Sequence, residues 1–279
     1  MQKEVYGRSW RALFSNLLLL LPDIVYTIFS ILMAIFFGYT SGIMQFIISN
    51  IGVNIEDIVG LFLDFLRQNI LKIVVSVIGF IIVTFFVGVG RDVIKYVMMK
   101  DVVENKKISI KKAWNEKKKF YLHVVWLKVK LFFIYAVISL AFGMLISFLG
   151  MNNEGGYNIA MLSILFILMF FAVLILHIIF MFRYAIMFRK EYDSNKTIKE
   201  SFNLFKNKFG KVMFVFLILL LTWIVGGIFS IYISSLPLFG AFFSILLGLI
   251  LSLWIDLYLF YSYGDKIWYT SKRIEKFIS

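Results

Sequence analysis

Six ionisable side chains stand in stretches that are otherwise almost wholly apolar, and any chemistry this chain performs starts with them. Asp23 follows Pro22 within a run of leucines, isoleucines and phenylalanines; His123, Lys128 and Lys130 occupy the opening turns of the run that begins near Tyr121. His177 comes six residues before Arg183, and Asp256 nine residues before Asp265. Such groups are costly in hydrocarbon and usually face a bundle interior, a partner charge or water, so each marks a candidate site. Arg91 and Asp92 cap a further apolar run at the same level. His123, Leu127 and Lys130 share a helical face at i, i+4 and i+7, which leaves Lys128 pointing away to snorkel toward headgroups. The expectation is a cluster of Asp23, Arg91, His123, Lys130, His177 and Asp256 lining a polar cavity open to the cytoplasm. The plain alternative is lone ion pairs and satisfied histidines, favoured for His123 and Lys128. Asp23 and Asp256 carry the sharper signal, because a short carboxylate cannot snorkel far.

Other chemistry is narrowed by what the chain lacks. It has no cysteine, so thiolate catalysis, disulfides and cysteine-built metal centres are excluded. Two histidines make a histidine-built metal site a poor expectation. Neither HExxH, GxSxG, a P-loop nor a dinucleotide fingerprint occurs. No catalytic residue, metal or cofactor is therefore assigned.

The elements that must position these groups are membrane spans. Hydrophobic residues make up 61% of the 279 and charged residues only 16%, with a mean hydropathy of +0.90, against about half and about a quarter in soluble domains. The expected fold is all-α, a polytopic bundle of six transmembrane helices in three hairpins. Spans are expected over residues 16–37, 70–89, 121–149, 159–182, 212–234 and 241–261. Pro22 is placed to kink the first or to start a new helical segment. Residues 54–68, with Asp57, Asp64 and Gln68 on one face, read as an interfacial helix on the outer side.

All but two of the 29 lysines and arginines fall in the N-terminal segment, the two long loops, the tail or the start of the third span; Arg67 and Lys72 are the exceptions. By the positive-inside rule both termini and both basic loops lie in the cytoplasm of a cell-membrane protein. The net charge of +13 thus reads as attraction to anionic lipid headgroups and not to nucleic acid. Lys111, Lys112, Lys117, Lys118 and Lys119 are the candidate headgroup-binding set, at about 1 kcal/mol per charge near the surface; a cytoplasmic protein partner is their other use.

Three segments agree when aligned on an aromatic: Arg8-Ser9-Trp10, Lys112-Ala113-Trp114 and Glu200-Ser201-Phe202, each preceding an apolar run. They divide the single membrane domain into quasi-repeats over 1–100, 101–190 and 191–279. Ser109 and Thr197, five residues before the aromatic, are placed to cap a helix, Thr197 with Glu200 as a capping box. The segments SIKKAWNEKKKF, TIKESFNLFKNKFGK and FRYAIMFRKEYDSNKT resemble those of uncharacterised prokaryotic six-span proteins related to the membrane domain that precedes some glycerophosphodiester phosphodiesterases. The resemblance implies topology and a membrane setting; with no phosphodiesterase domain in the sequence, it does not imply that activity. The functional expectation is non-enzymatic membrane organisation or protein and lipid handling through an inward polar groove, with a transporter or channel for a small solute or lipid as the alternative.

Overall fold

The computed structural model describes residues 2–149, 159–236 and 239–264, and the regular elements among them are all helical. Helix α1 (Gln2–Ser15) leads through a 3₁₀ turn (Leu17–Leu20) into α2 (Leu21–Thr40), and α3 (Ile43–Ser49) returns the chain to α4 (Ile55–Val103). Then come α5 (Ile110–Leu149), α6 (Ile159–Phe180), the short α7 (Arg183–Lys190) and α8 (Ser194–Asn207), α9 (Phe209–Ser234) and α10 (Gly240–Gly264). Six stretches, carried by α2, α4, α5, α6 with α7, α9 and α10, are long and apolar enough to cross a membrane. The chain is an all-α multi-pass membrane protein. Residues 150–158 and the basic tail beyond Gly264 lie outside the described residues.

Local chemistry sets the boundaries. Pro22 occupies the first turn of α2, where its missing N–H leaves no bond unmade, so it starts a new helix instead of kinking an old one. The backbone N–H of Lys112 donates to Ser109 Oγ at 3.3 Å, capping α5 as its position suggests. The capping box at Thr197 is not formed. Asp193 caps α8 instead, accepting from the Lys196 backbone N–H at 2.8 Å, and Thr197 lies fully buried within the helix. A carboxylate four residues earlier outcompetes the hydroxyl because it accepts more strongly.

The separate interfacial helix expected over residues 54–68 is also absent as such. Those residues form the opening turns of α4, which runs unbroken for 49 residues, about 74 Å. No proline or loop-forming cluster separates Arg67 from Ile70, so the amphipathic and apolar patterns join without a stop. In the same way, the lysine-rich segment before Tyr121 is continuous with the span that follows it in α5.

Burial concentrates at one end of the bundle, where α1, the start of α5, α7 and α8 gather; this is the basic end. Its core includes Val93, Val97, Met98, Phe120, Phe188, Trp254 and Phe260, each no more than 1% exposed. Aromatic rings knit the elements together. Trp10 of α1 stacks on Trp254 of α10 at 5.1 Å, and Tyr96 of α4 on Tyr184 of α7 at 4.3 Å. Ser9, Ala113 and Ser201, the small members of the three aligned pairs, are all 0% exposed. Toward the far end the helices pack chiefly as neighbours, α2 on α4 through Phe37 and Phe80, α9 on α10 through Ser230 and Ser244, 2.5 Å apart.

Candidate functional site

At the basic end α4 presents Arg91, Asp92, Lys95 and Tyr96 on successive turns toward α2, α5 and α10. Lys95 is the hub. Its ammonium lies 2.9 Å from Asp23 Oδ2 of α2 and 2.7 Å from Asp256 Oδ2 of α10, so one cation ties three spans. Arg91 approaches Asp23 Oδ1 at 3.5 Å and donates to Asp92 Oδ1 through Nε at 2.8 Å. Lys128 of α5 closes the chain of charge, 2.6 Å from Asp92 Oδ2. The Tyr96 hydroxyl donates to Asp256 at 3.4 Å. Three carboxylates thus meet three cations, which lets Asp23, Asp92 and Lys95 each be only 3% exposed. Charges are buried tolerably only when paired in this manner.

Two clefts flank this network. One, about 520 Å³, lies between α2, α4 and α5; Pro22, Val25, Phe29 and Phe86 wall it, and Arg91 and Lys117 stand at its polar edge. Lys117 lies over the Trp114 ring at 4.4 Å and the Tyr121 ring at 5.5 Å, and Arg91 over Tyr26 at 4.5 Å. The other, about 320 Å³, lies between α6, α7, α9 and α10 and takes in His177, Arg183, Asp256 and Trp223.

Of the six residues expected to cluster, Asp23, Arg91 and Asp256 converge and the other three do not. Lys130 turns to α8, donating to Ser194 Oγ at 2.9 Å and Asn195 Oδ1 at 2.7 Å. His123 is half-buried on α5 near Asp193. His177, exposed, opens on the second cleft beside Arg183. Of the three that converge, Arg91 faces the first cleft and Asp256 the second, whereas Asp23 lines neither.

Lys128 does not snorkel to headgroups. The antiparallel packing of α5 on α4 brings it against Asp92, whose buried charge it completes. Lys95 itself was legible only indirectly: it lies at i+3 from Asp92 and i+4 from Arg91 on one helical face.

The basic loops form their own pairs. Lys112 reaches Asp101 at 2.7 Å, and Lys100 and Lys119 both donate to Glu191. Those bonds, Lys119 first and then Lys100, pull the Glu191 carboxyl down to about 2. Lys111 and Lys118 are exposed. Of the candidate headgroup set, then, Lys112 and Lys119 are engaged by carboxylates. Lys117 meets aromatic faces, and among the described residues no carboxylate lies within ion-pair distance of it.

No protein-family model matches the chain, and no curated protein or solved structure matches it either.

Proposed function

We propose that the protein resides in the cell membrane with its termini and basic loops in the cytoplasm, and that it holds the anionic headgroup of a lipid without catalysing a reaction on it. The cleft between α2, α4 and α5 carries this reading. Its walls are largely apolar, and Arg91 and Lys117 line it beside the rings of Tyr26, Trp114 and Tyr121. Hydrocarbon, aromatic rings and cations together are what a phospholipid meets at the edge of a leaflet. The fixed charges beneath it are mutually neutralised, so they brace the spans and leave Lys117 to meet the ligand.

Transport of a solute ranks second. It calls for polar groups along a path through the far halves of the spans, whereas residues 132–148 of α5 include only Tyr135, Ser139 and Ser147 as hydroxyl-bearing side chains and no charge.

Native mass spectrometry of the detergent-purified protein tests the lipid reading. The wild type is expected to retain phosphatidylglycerol in preference to phosphatidylcholine. Lys117→Gln should weaken that retention about fivefold, the value of one surface charge; equal retention of the two lipids by the wild type would refute the reading. Sidedness is checked with single cysteines, which the cysteine-free sequence allows without background. An impermeant maleimide should label Lys118→Cys only from the cytoplasmic face and Arg67→Cys only from the other.

A further inference from the structure

The second cleft holds a cation that the charge network does not satisfy. Arg183 opens α7 and lines the cleft between α6, α7, α9 and α10. One guanidinium nitrogen, Nη1, donates to the Phe180 carbonyl at 3.1 Å, and the group lies 4.8 Å from the centre of the Tyr184 ring. Its Nε is buried without a hydrogen-bond partner. Among the described residues no carboxylate comes within ion-pair distance of it. Asp256, the carboxylate on the same cleft, is already taken by Lys95 at 2.7 Å and Tyr96 at 3.4 Å. The neighbouring network is neutral by pairing, so Arg183 leaves this cleft with an uncompensated positive charge.

A guanidinium in that position has unused donors in a planar fork, which match the paired oxygens of a phosphate or carboxylate group. His177, which is exposed, and Tyr184 line the same space. From there the cleft continues along α9 past Phe216 and Leu220 to Trp223, about 10 Å further along the helix axis. Trp223 is 68% exposed, so the apolar end opens toward the surrounding lipid.

We propose that this cleft is a second anion site, distinct from the Lys117 cleft, in which Arg183 binds the phosphate of an anionic phospholipid whose acyl chain runs along α9 over Leu220 and Trp223. The Lys95 network stands between the two sites, with Arg91 facing one and Asp256 the other.

The test reads Trp223. The full chain is reconstituted in phosphatidylcholine nanodiscs containing rising fractions of phosphatidylglycerol with brominated acyl chains, and Trp223 emission is taken as the difference from a Trp223→Phe variant. Saturable quenching at low phosphatidylglycerol fractions is expected, whereas brominated phosphatidylcholine should quench only in proportion to its amount. Arg183→Gln should raise the half-saturating fraction about tenfold or more, the value of a charge-assisted bond. Arg183→Lys, which keeps the charge and loses the fork, should fall between.

Lys117→Gln should leave the Trp223 signal unchanged, which separates this site from the first. Displacement of the brominated lipid by millimolar inorganic phosphate would identify the phosphate group, and not the lipid tail, as the source of affinity at Arg183. Equal quenching by both lipids, or unchanged half-saturation in Arg183→Gln, would overturn the proposal. Should Arg183→Gln fail to fold, unchanged half-saturation in both Arg183→Lys and the cleft-filling Phe216→Trp would overturn it equally.

Discussion

Residues 57–87 and residues 89–102 belong to one uninterrupted helix and experience different surroundings. Along the first stretch only Ser76 is buried; along the second, eleven residues are, among them Asp92, Lys95 and Asp101. The apolar stretch has lipid to face, and lipid is as good a solvent for leucine as another leucine is, so little drives the far ends together. At the basic end water competes for every exposed apolar atom, and rings and aliphatic chains pack as they do in a soluble core. The charged residues follow the same division: at the packed end Asp23, Lys95, Asp256, Asp92 and Lys128 pair across helices, whereas Asp64 and Arg67 at the other end are exposed and 3.7 Å apart on the same helix. Stability should therefore reside at the basic end and the far end should tolerate change.

The largest test of that division is Lys95→Met, which strands Asp23 and Asp256 without their shared cation. A loss of about 3–5 kcal/mol is expected, read as thermal unfolding of the protein in detergent. Adding Asp23→Asn and Asp256→Asn to it should recover much of the loss, because the repulsion and desolvation then disappear with the charges. Next come the small residues at the basic end. Ala113→Leu or Ser201→Leu forces a side chain into fully buried positions and should cost about 1–3 kcal/mol. At the far end, Gly226→Ala places a methyl 2.3 Å from Leu251 Cδ1, a side-chain tip able to swing aside, so less than about 1 kcal/mol is expected. Phe132→Leu, at 67% exposure, should fall within about 0.5 kcal/mol of wild type. A far-end variant as damaging as Lys95→Met would break the comparison.

The smallest effect concerns Glu191, which sharpens the picture with pH. Its folded-state pKa, about 2, lies below the ordinary carboxylate value of about 4.3. The bridge to Lys100 and Lys119 therefore contributes fully above about pH 4.3 and is lost as pH falls toward 2. Glu191 is 45% exposed, so solvent screens the bridge and its contribution is modest. Glu191→Gln should unfold at a slightly lower temperature than wild type at pH 7, and the two curves should converge near pH 2.

Much of the fold was legible because hydrophobic run length is a direct physical signal. The spans at 70–89, 121–149 and 159–182 fall within α4, α5 and the join of α6 with α7. What was not legible was the continuity of residues 54–68 with the span after them: nothing in their periodicity distinguishes a helix lying on a membrane from the first turns of one entering it. The site was half legible for a related reason. Asp23 and Asp256 declared themselves by standing within apolar runs, but Lys95 sits beyond the end of its run, where a lysine is ordinarily solvated. Only the crossing of α2 and α10 against α4 converts it into a buried partner. Lys128 and Lys130 are two residues apart, and side-chain direction alone cannot decide which meets a carboxylate when the neighbouring helix is unknown.

The charges on α4 also make that helix a gauge. Arg67 and Arg91 are 24 positions apart, about 36 Å along the axis, a little more than the hydrocarbon thickness of about 30 Å. A thinner bilayer would leave the rod too tall and lean it over. Because Lys95 is fastened at once to α2 and α10, leaning would drag all three spans, so membrane thickness becomes a mechanical input to the geometry of both clefts.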